Sequence, residues 1–174
     1  VCSLVGSEMC IRDRPEPAAI SLRHKGDGKG RQYDLEKTEA QEIKRAYYAT
    51  VTFLDAQVGR IIKKLKKTGL DKNTIIVFSS DHGYHLGEQG HWQKQTLYEK
   101  TTRVPLIFSG PGIKKGTRSN SPVELVDMYP TLMDLTEIKT PEHVVGKSLV
   151  PIFNDSSHKI RNSALTRWIA TRLN

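Results

Sequence analysis

The chain has 174 residues, of which 37% are hydrophobic and 26% are charged, a balance typical of globular rather than disordered proteins. Its unbroken apolar runs are a few residues long, whereas a membrane-spanning helix needs ~20 apolar residues, so no membrane span is expected. The formal net charge of +8 favours anionic partners. Zinc-finger spacings, RNP-like aromatic motifs and basic regions followed by heptads do not occur in the sequence, so nucleic acid is not expected as a partner.

The first part of the chain is interpreted as lying outside the folded body. Residues 1–14 resemble the translated adapter tails seen in chains assembled from environmental DNA, although a disordered native terminus is the alternative. Both cysteines, Cys2 and Cys10, lie in this tail, so we expect neither a disulfide framework nor a zinc-thiolate site in the body. Residues 15–34 are rich in proline, glycine and charge, and they predict a loop.

A long amphipathic helix is predicted from about Leu35 to Gly69, because apolar residues recur there at spacings of three and four. These apolar residues are Ile43, Tyr47, Val51, Leu54, Val58, Ile61 and Leu65. Gly69 is a typical helix stop. Four lysines near the predicted end match the negative end of the helix dipole, so we interpret them as a solvated face rather than a ligand patch. They are Lys63, Lys64, Lys66 and Lys67.

Two strands and a second helix are predicted after this long helix. The run Thr74–Ser80 is rich in β-branched residues and predicts a strand buried on both faces, as in a parallel sheet. Val104–Phe108 predicts another strand. Asp127 is a candidate N-cap for a short helix that has Pro130 in its first turn and ends near Thr136. The alternation of helix and strand indicates an α/β fold.

The first strand is followed directly by Asp81, His82 and Gly83. In open α/β sheets, sites form at the carboxyl ends of strands, so an Asp and a His that leave a strand together can face one crevice. Asp supplies hard oxygen ligands, and His supplies a nitrogen or a proton. A turn capped by the Asp is the alternative interpretation.

The segment after Gly83 adds further polar side chains within a short stretch. Lys94 is a cation close in sequence to the predicted crevice and is suited to an anionic group. His85 and His91 are candidate substrate contacts, with polar loop residues as the equally weighted alternative. Together these residues predict an anion-binding site.

Several segments in consistent order resemble one known family and together cover roughly residues 42–153. They are YYATVTFLDAQVGRII, SSDHGYHLGEQGHWQK, TRVPLIFSGPG, VELVDMYPTLMDL and GKSLVPIF. The chain resembles the sulfatase family of the alkaline-phosphatase-like superfamily, and more narrowly its iduronate-2-sulfatase-like branch.

The resemblance implies an α/β fold, namely a partial alkaline-phosphatase-like sandwich with a mostly parallel sheet flanked by helices and truncated at both ends. It implies that residues 35–155 are the C-terminal part of the catalytic domain and that residues 156–174 begin an incomplete C-terminal region. It also implies that Asp81 and His82 are metal ligands and that Lys94 holds the sulfate group. The implied ion is one Ca²⁺, shared with residues missing from this chain, although an imidazole is an unusual ligand for a hard ion.

The family's nucleophile is a formylglycine made from a C/S-x-P-x-R motif, and this sequence has no such motif. The chain is therefore expected to be a fragment of a sulfuric ester hydrolase that is inactive alone. The implied substrate is a sulfate ester, such as a sulfated carbohydrate, and the implied location is periplasmic, secreted or lysosomal. The alternatives are a related phosphodiesterase, phosphonate hydrolase or choline-sulfatase-like enzyme and, more distantly, a non-enzymatic polyanion-binding module based on the +8 charge.

Overall fold

The computed structural model describes residues 35–94 and 96–167. The predicted tail 1–14, the predicted loop 15–34 and both cysteines lie outside these residues. The described chain divides into two compact units. The first comprises residues 35–67 and 82–105, and the second comprises residues 68–81 and 106–167. In chain order the helices and strands are α1 Lys37–Thr68, β1 Ile76–Ser79, β2 His85–Leu86, β3 Trp92–Gln93, α2 Glu99–Thr102, β4 Leu106–Ser109, α3 Met128–Leu135 and α4 Val150–Asn154.

The long helix α1 confirms the helix that was predicted from the spacing of the apolar residues. It has 32 residues, and it stops where Gly69 takes a left-handed conformation with φ 71°. No residue of α1 is buried, and apolar side chains such as Phe53 and Ile61 are 69% and 62% exposed. Among the described residues, no helix is both long and apolar enough to cross a membrane.

The first unit combines α1 with a short hairpin and the helix α2. Strands β2 and β3 pair antiparallel, with His85 opposite Gln93 and Leu86 opposite Trp92. The helix contacts this hairpin region through side chains: the ring of Tyr47 stacks on that of Tyr84 at 5.3 Å, and Lys44 Nζ lies 5.9 Å from the Trp92 ring.

The second unit contains the two predicted strands, but their pairing differs from the expected arrangement. β1 and β4 pair antiparallel, with Phe78 opposite Ile107, whereas the apolar run favoured a strand in a parallel sheet. Phe78 and Ile107 are also exposed, so β1 is not buried on both faces in the described chain. A continuous apolar run indicates that a strand can be buried, but it does not indicate whether the strand pairs parallel or antiparallel. The sequence therefore could not predict the direction of pairing.

The rest of the second unit packs around a small core at the C-terminal helices. Leu149 and Ile152 are buried, and the side chain of Thr131 is completely enclosed. Thr131 Oγ1 accepts a hydrogen bond from the backbone N–H of Leu149 at 2.9 Å and donates one to the carbonyl of Asp127 at 2.5 Å. These bonds tie α3 to the start of α4.

The helix α3 lies where it was predicted, and Asp127 occupies its predicted N-cap position. Its side chain makes no capping bond to α3. Instead, its Oδ2 accepts the backbone N–H of Glu124 at 2.8 Å and closes the 3₁₀ turn Leu125–Asp127 that precedes the helix. The elements together confirm an α/β fold class.

Candidate functional site

Lys94 and His82, which lie twelve positions apart in the first unit, meet through their side chains. Lys94 Nζ is 2.7 Å from His82 Nε2, and His82 Nδ1 is 2.8 Å from the carbonyl oxygen of Gly83. A ring nitrogen that faces a carbonyl must carry the proton, so Nδ1 donates to Gly83 and Nε2 accepts from the Lys94 ammonium. Lys94 is exposed and His82 is half-buried. This arrangement presents a cation beside an imidazole at the surface.

Thr101 links the two segments that carry these side chains. Its carbonyl oxygen accepts the N–H of Gly83, next to His82, at 2.8 Å. Its hydroxyl lies 2.9 Å from that of Thr96, and the N–H of Thr96 donates to the carbonyl of Lys94 at 2.9 Å. Because Thr101 is buried, these bonds are shielded from competing water.

Gly83 is needed at its position because of close packing. A Cβ added there would overlap the carbonyl oxygen of Lys100. The absence of a side chain at Gly83 therefore permits a close approach to the backbone of α2. This approach allows the hydrogen bond from Gly83 to Thr101.

The hairpin before Lys94 turns through several left-handed residues. Gly87 and Gly90 have φ of 100° and 70°, and Gln89 has φ of 54°. Gln93, directly before Lys94, also lies at positive φ, 71°. A left-handed non-glycine residue costs roughly 1–2 kcal/mol, so surrounding contacts must hold Gln93 in place. The reversal at Gln93 redirects the chain immediately before Lys94.

His85 and His91, the two candidate substrate contacts, are both fully buried in the first unit. Their rings lie 5.1 Å apart, and each also contacts the ring of Tyr98, at 5.9 Å from His85 and 5.2 Å from His91. His85 Nε2 lies 2.8 Å from Thr96 Oγ1, so His85 joins the network around Thr101. Their contact with a substrate stays a prediction, and in this arrangement both side chains support the loop that carries Lys94.

Glu88 is the acidic member of this hairpin. Its Oε2 accepts the N–H of Leu86 at 2.7 Å and lies 4.0 Å from His85 Nδ1. Partial burial raises the pKa of the Glu88 carboxyl, but the backbone N–H groups of Leu86 and Glu88 and the nearby charge of Lys100 outweigh burial and hold that pKa below its ordinary value. Glu88 is therefore ionised at neutral pH.

Asp81 directly precedes His82 in the chain and belongs to the second unit. It is exposed, and Ser80 Oγ donates to its Oδ1 at 3.4 Å. Within residues 35–94 and 96–167, no group of three or more His, Cys, Asp or Glu side chains is placed to hold a metal ion. The donors fit an ion in part: the carboxylate of Asp81 suits a hard cation, whereas His82 Nε2 accepts a hydrogen bond from Lys94 in this structure.

Sequence reasoning missed the residues that hold this site together. Thr96, Tyr98 and Thr101 have no motif of their own, and their roles depend on contacts between segments. Glu88 was also missed, although a carboxylate between two histidines in a glycine-rich turn was a usable signal.

Comparisons with known proteins agree with the resemblance. The sequence profile of the family described as Sulfatase matches residues 20–138. A sulfatase of Formosa agariphila is 42% identical over 137 residues, which are 79% of this chain and 27% of that protein. Arylsulfatase K of Homo sapiens is 39% identical over 129 residues, 72% of this chain and 24% of that protein. A choline-sulfatase of Rhizobium meliloti is 37% identical over 158 residues, 84% of this chain and 31% of that protein.

Solved structures show the same relationship. A protein determined in complex with its substrate D-glucosamine-2-N,6-O-disulfate matches with a TM-score of 0.68 and 35% identity, over 77% of this chain and 28% of that one. A phosphonate monoester hydrolase from Silicibacter pomeroyi matches with a TM-score of 0.73 and 31% identity, over 95% of this chain and 32% of that one. The fold is therefore part of the alkaline-phosphatase-like α/β class.

The chain spans about a quarter of the length of the first two curated relatives, 27% and 24%. The names of the relatives do not single out an iduronate-2-sulfatase-like branch, which stays a prediction. The profile match extends over more than half of the chain, and the identity to curated sulfatases is high over most of it. The chain belongs to the sulfatase family.

Proposed function

We propose that the protein to which this chain belongs hydrolyses sulfate esters, and that this chain supplies part of its sulfate-binding and metal-binding site. The observation that carries the proposal is the meeting of Lys94 Nζ with His82 Nε2 at 2.7 Å on the surface of a sulfatase-family chain. The Lys94 ammonium suits a tetrahedral oxyanion, and the adjacent His82 Nε2 has a lone pair that suits a metal ion.

Lys94 is the proposed contact to a sulfate oxygen. Hydrolysis of a sulfate ester requires that charge developing on the sulfuryl oxygens be neutralised, and this electrostatic contribution is usually the largest in such reactions. The bonds through Thr101 and Thr96 hold the segment of Lys94 before a ligand arrives, so little reorganisation is needed. His85 and His91 are fully buried, so we propose that they support the loop that carries Lys94, and their contact with a substrate stays a prediction.

Asp81 and His82 are the proposed metal ligands, with Ca²⁺ as the proposed ion and the remaining ligands in parts of the protein outside this chain. A bound divalent ion supplies charge neutralisation at the sulfuryl oxygens. Two donors are far fewer than the ~6–8 oxygen ligands that Ca²⁺ prefers. We therefore expect weak Ca²⁺ binding by this chain in calorimetry, and tight binding would contradict the proposal that the ligands are divided.

Titration with inorganic sulfate tests the role of Lys94 directly. We expect saturable changes in the imidazole NMR signals of His82, and at least several-fold weaker binding in Lys94→Ala because the cation is lost. Lys139→Ala is the matched control, since Lys139 is an exposed lysine of the other unit. Equal weakening in both variants would show that sulfate responds to net charge and would overturn the proposed site.

An assay of sulfate ester hydrolysis tests whether this chain is active alone. The chain contains no C/S-x-P-x-R motif, so we expect no sulfate release from an aryl sulfate ester by the 174-residue chain. Release that Asp81→Ala abolishes would mean that the chain carries its own nucleophile, contrary to the proposal.

A phosphonate or phosphate ester hydrolase is the second candidate, because the similarity to the phosphonate monoester hydrolase covers 95% of this chain. Titration of the chain with methylphosphonate separates the two candidates. Sulfate binding that depends on Lys94, with no binding of methylphosphonate, supports the sulfatase, whereas the reverse preference supports the phosphonate hydrolase.

A further inference from the structure

A row of cations runs along the last turns of α1. Arg60, Lys63, Lys64 and Lys67 follow the spacing of three and four, so they share one face of the helix, and all four side chains are exposed. With a rise of about 1.5 Å per residue, this basic stripe is about 10 Å long. Residues 56–70 of the sequence contain no Asp or Glu.

The helix dipole accounts for part of this stripe. Its effect falls off within the last turn, where Lys66 and Lys67 lie. Arg60 and Lys63 lie further back, and Arg60 is hydrogen-bonded at 2.7 Å to the neutral amide of Gln57. Like charges at spacings of three and four also repel one another, so the stripe weakens the isolated helix. The interpretation of these cations as a solvated face matched to the helix dipole therefore accounts for Lys66 and Lys67, whereas Arg60 and Lys63 need another explanation.

The stripe is separate from the apolar face of the same helix. At about 100° per residue, Leu54, Val58, Ile61 and Leu65 lie on nearly the opposite side of α1 from Arg60, Lys63 and Lys67. The stripe and the apolar face can therefore contact different partners. The stripe also belongs entirely to the first unit.

We infer that this basic stripe is a binding surface for a sulfated polysaccharide chain. The choice of partner rests on the proposed function, since the polymer would be held by a protein that acts on sulfate esters. Repeated sulfate groups along a polymer match repeated cations along a helix face. Single-stranded nucleic acid is the less suited partner, because its bases stack on aromatic side chains and residues 54–77 contain no aromatic residue.

The test compares two triple variants of the 174-residue chain that have the same charge change. The stripe variant is Arg60→Gln/Lys63→Gln/Lys67→Gln, and the matched control is Lys114→Gln/Lys115→Gln/Arg118→Gln in an exposed loop of the second unit. Binding of a heparin oligosaccharide is measured by calorimetry at several salt concentrations. Both variants should keep their unfolding midpoints nearly unchanged, because exposed substitutions have small effects.

We expect the stripe variant to bind heparin about tenfold more weakly and with a shallower salt dependence, because fewer counterions are released. The control variant should stay within about twofold of the original chain, and hyaluronan, which has carboxylates but no sulfates, should bind much more weakly than heparin. Equal loss in both variants, no loss in either, or equal binding of hyaluronan would overturn the inference.

Two further probes separate this surface from other polyanion binding and from the proposed sulfate site. A DNA duplex or phosphatidylserine vesicles that bind as tightly as heparin, with the same dependence on the stripe, would contradict a surface selective for sulfated polymer. In the Lys94→Ala background, the three stripe substitutions should still weaken heparin binding by a similar factor. If heparin binding fails to depend on the stripe while inorganic sulfate still requires Lys94, the surface is refuted and the proposed function stands.

Discussion

Thr101 connects two segments because its carbonyl and its hydroxyl face different partners. The carbonyl accepts from Gly83, beside His82, and the hydroxyl meets Thr96, two residues after Lys94. The same hydroxyl also lies 2.9 Å from the carbonyls of Thr96 and Tyr98. Removal of a buried hydroxyl with several partners costs free energy of folding, because the partner groups stay buried without a hydrogen bond.

Replacement of Thr101 by Val keeps the shape of the side chain and removes the hydroxyl. We expect Thr101→Val to lower the free energy of unfolding by about 1–3 kcal/mol and to weaken sulfate binding, while Thr101→Ser restores most of both. Thr102→Val is the control, because its hydroxyl donates to the Tyr98 carbonyl at 3.2 Å and does not belong to the Thr96 network. Urea unfolding followed by tryptophan fluorescence measures the first effect, and the sulfate titration measures the second. Equal effects in the Thr101 and Thr102 variants would contradict the connecting role.

Glu88 gives a pH dependence whose sign follows from its lowered pKa. A carboxyl with a pKa below its unfolded value of about 4.5 stabilises the folded state above that pH, and this contribution is lost as pH falls through the folded pKa. We expect Glu88→Gln to be less stable than the original chain at pH 7, by well under 1 kcal/mol because the side chain is 40% exposed. Thermal unfolding from pH 7 to pH 3 should show the difference shrinking below pH 4.5. A difference that grows with acidity would contradict the lowered pKa.

At the scale of elements, close approach decides where small residues are required. Gly83 passes against the backbone of α2, whereas Gly59 in the middle of α1 has no heavy atom within 4 Å of an added Cβ. We therefore expect opposite effects of substitution at the two glycines. A side chain at position 83 forces the backbone to move, whereas a side chain at position 59 removes the entropic cost of glycine in a helix.

Alanine at these two positions tests this difference. We expect Gly83→Ala to destabilise the chain by about 1–3 kcal/mol through overpacking, and to weaken sulfate binding because α2 must move. Gly59→Ala should stabilise it by up to about 1 kcal/mol, since alanine is the better helix former. Chemical unfolding of both variants measures the effects. A Gly83→Ala variant as stable as the original chain would show that the backbone at Gly83 and α2 do not need to approach closely.

At the scale of the whole molecule, contacts between distant parts of the sequence close the second unit. Arg161 pairs with Glu124 and donates from Nη2 to Asp127 Oδ1 at 2.6 Å, while Asp127 is fully buried. Asp127 Oδ1 also accepts the N–H of Lys147 at 2.9 Å. This cluster joins the segment after α4 to the turn before α3.

Removal of the Arg161 cation leaves a buried carboxylate without its counter-charge. We expect Arg161→Met to destabilise the second unit by about 2–4 kcal/mol and to increase hydrogen exchange at the N–H of Leu165, which donates to Glu124. Arg103→Met is the matched control, because the Arg103–Glu99 pair is at 3.5 Å and both side chains are more than 70% exposed. That change should cost about 0.5 kcal/mol or less. Similar losses in both variants would argue against a special role for the buried cluster.

The sequence by itself predicted the features that depend on local spacing. The period of α1, its end at Gly69 and the positions of β1, β4 and α3 all agree with the structure, because helix periodicity, glycine stops and β-branched runs act within a few residues. The ordered motifs also predicted the family, which the comparisons confirm. The metal ligands Asp81 and His82 stay predictions from the resemblance.

The tertiary structure decided which distant residues meet and in what direction. Three features depend on contacts between segments: the antiparallel pairing of β1 with β4, the burial of His85 and His91, and the bonds that the Asp127 side chain makes to Lys147 and Arg161. Lys94 was identified as a candidate from its chemistry, but its placement beside His82 depends on the bonds of Thr101. Local patterns specify which groups a segment can offer, whereas packing and hydrogen bonding between segments determine which of those groups share a site.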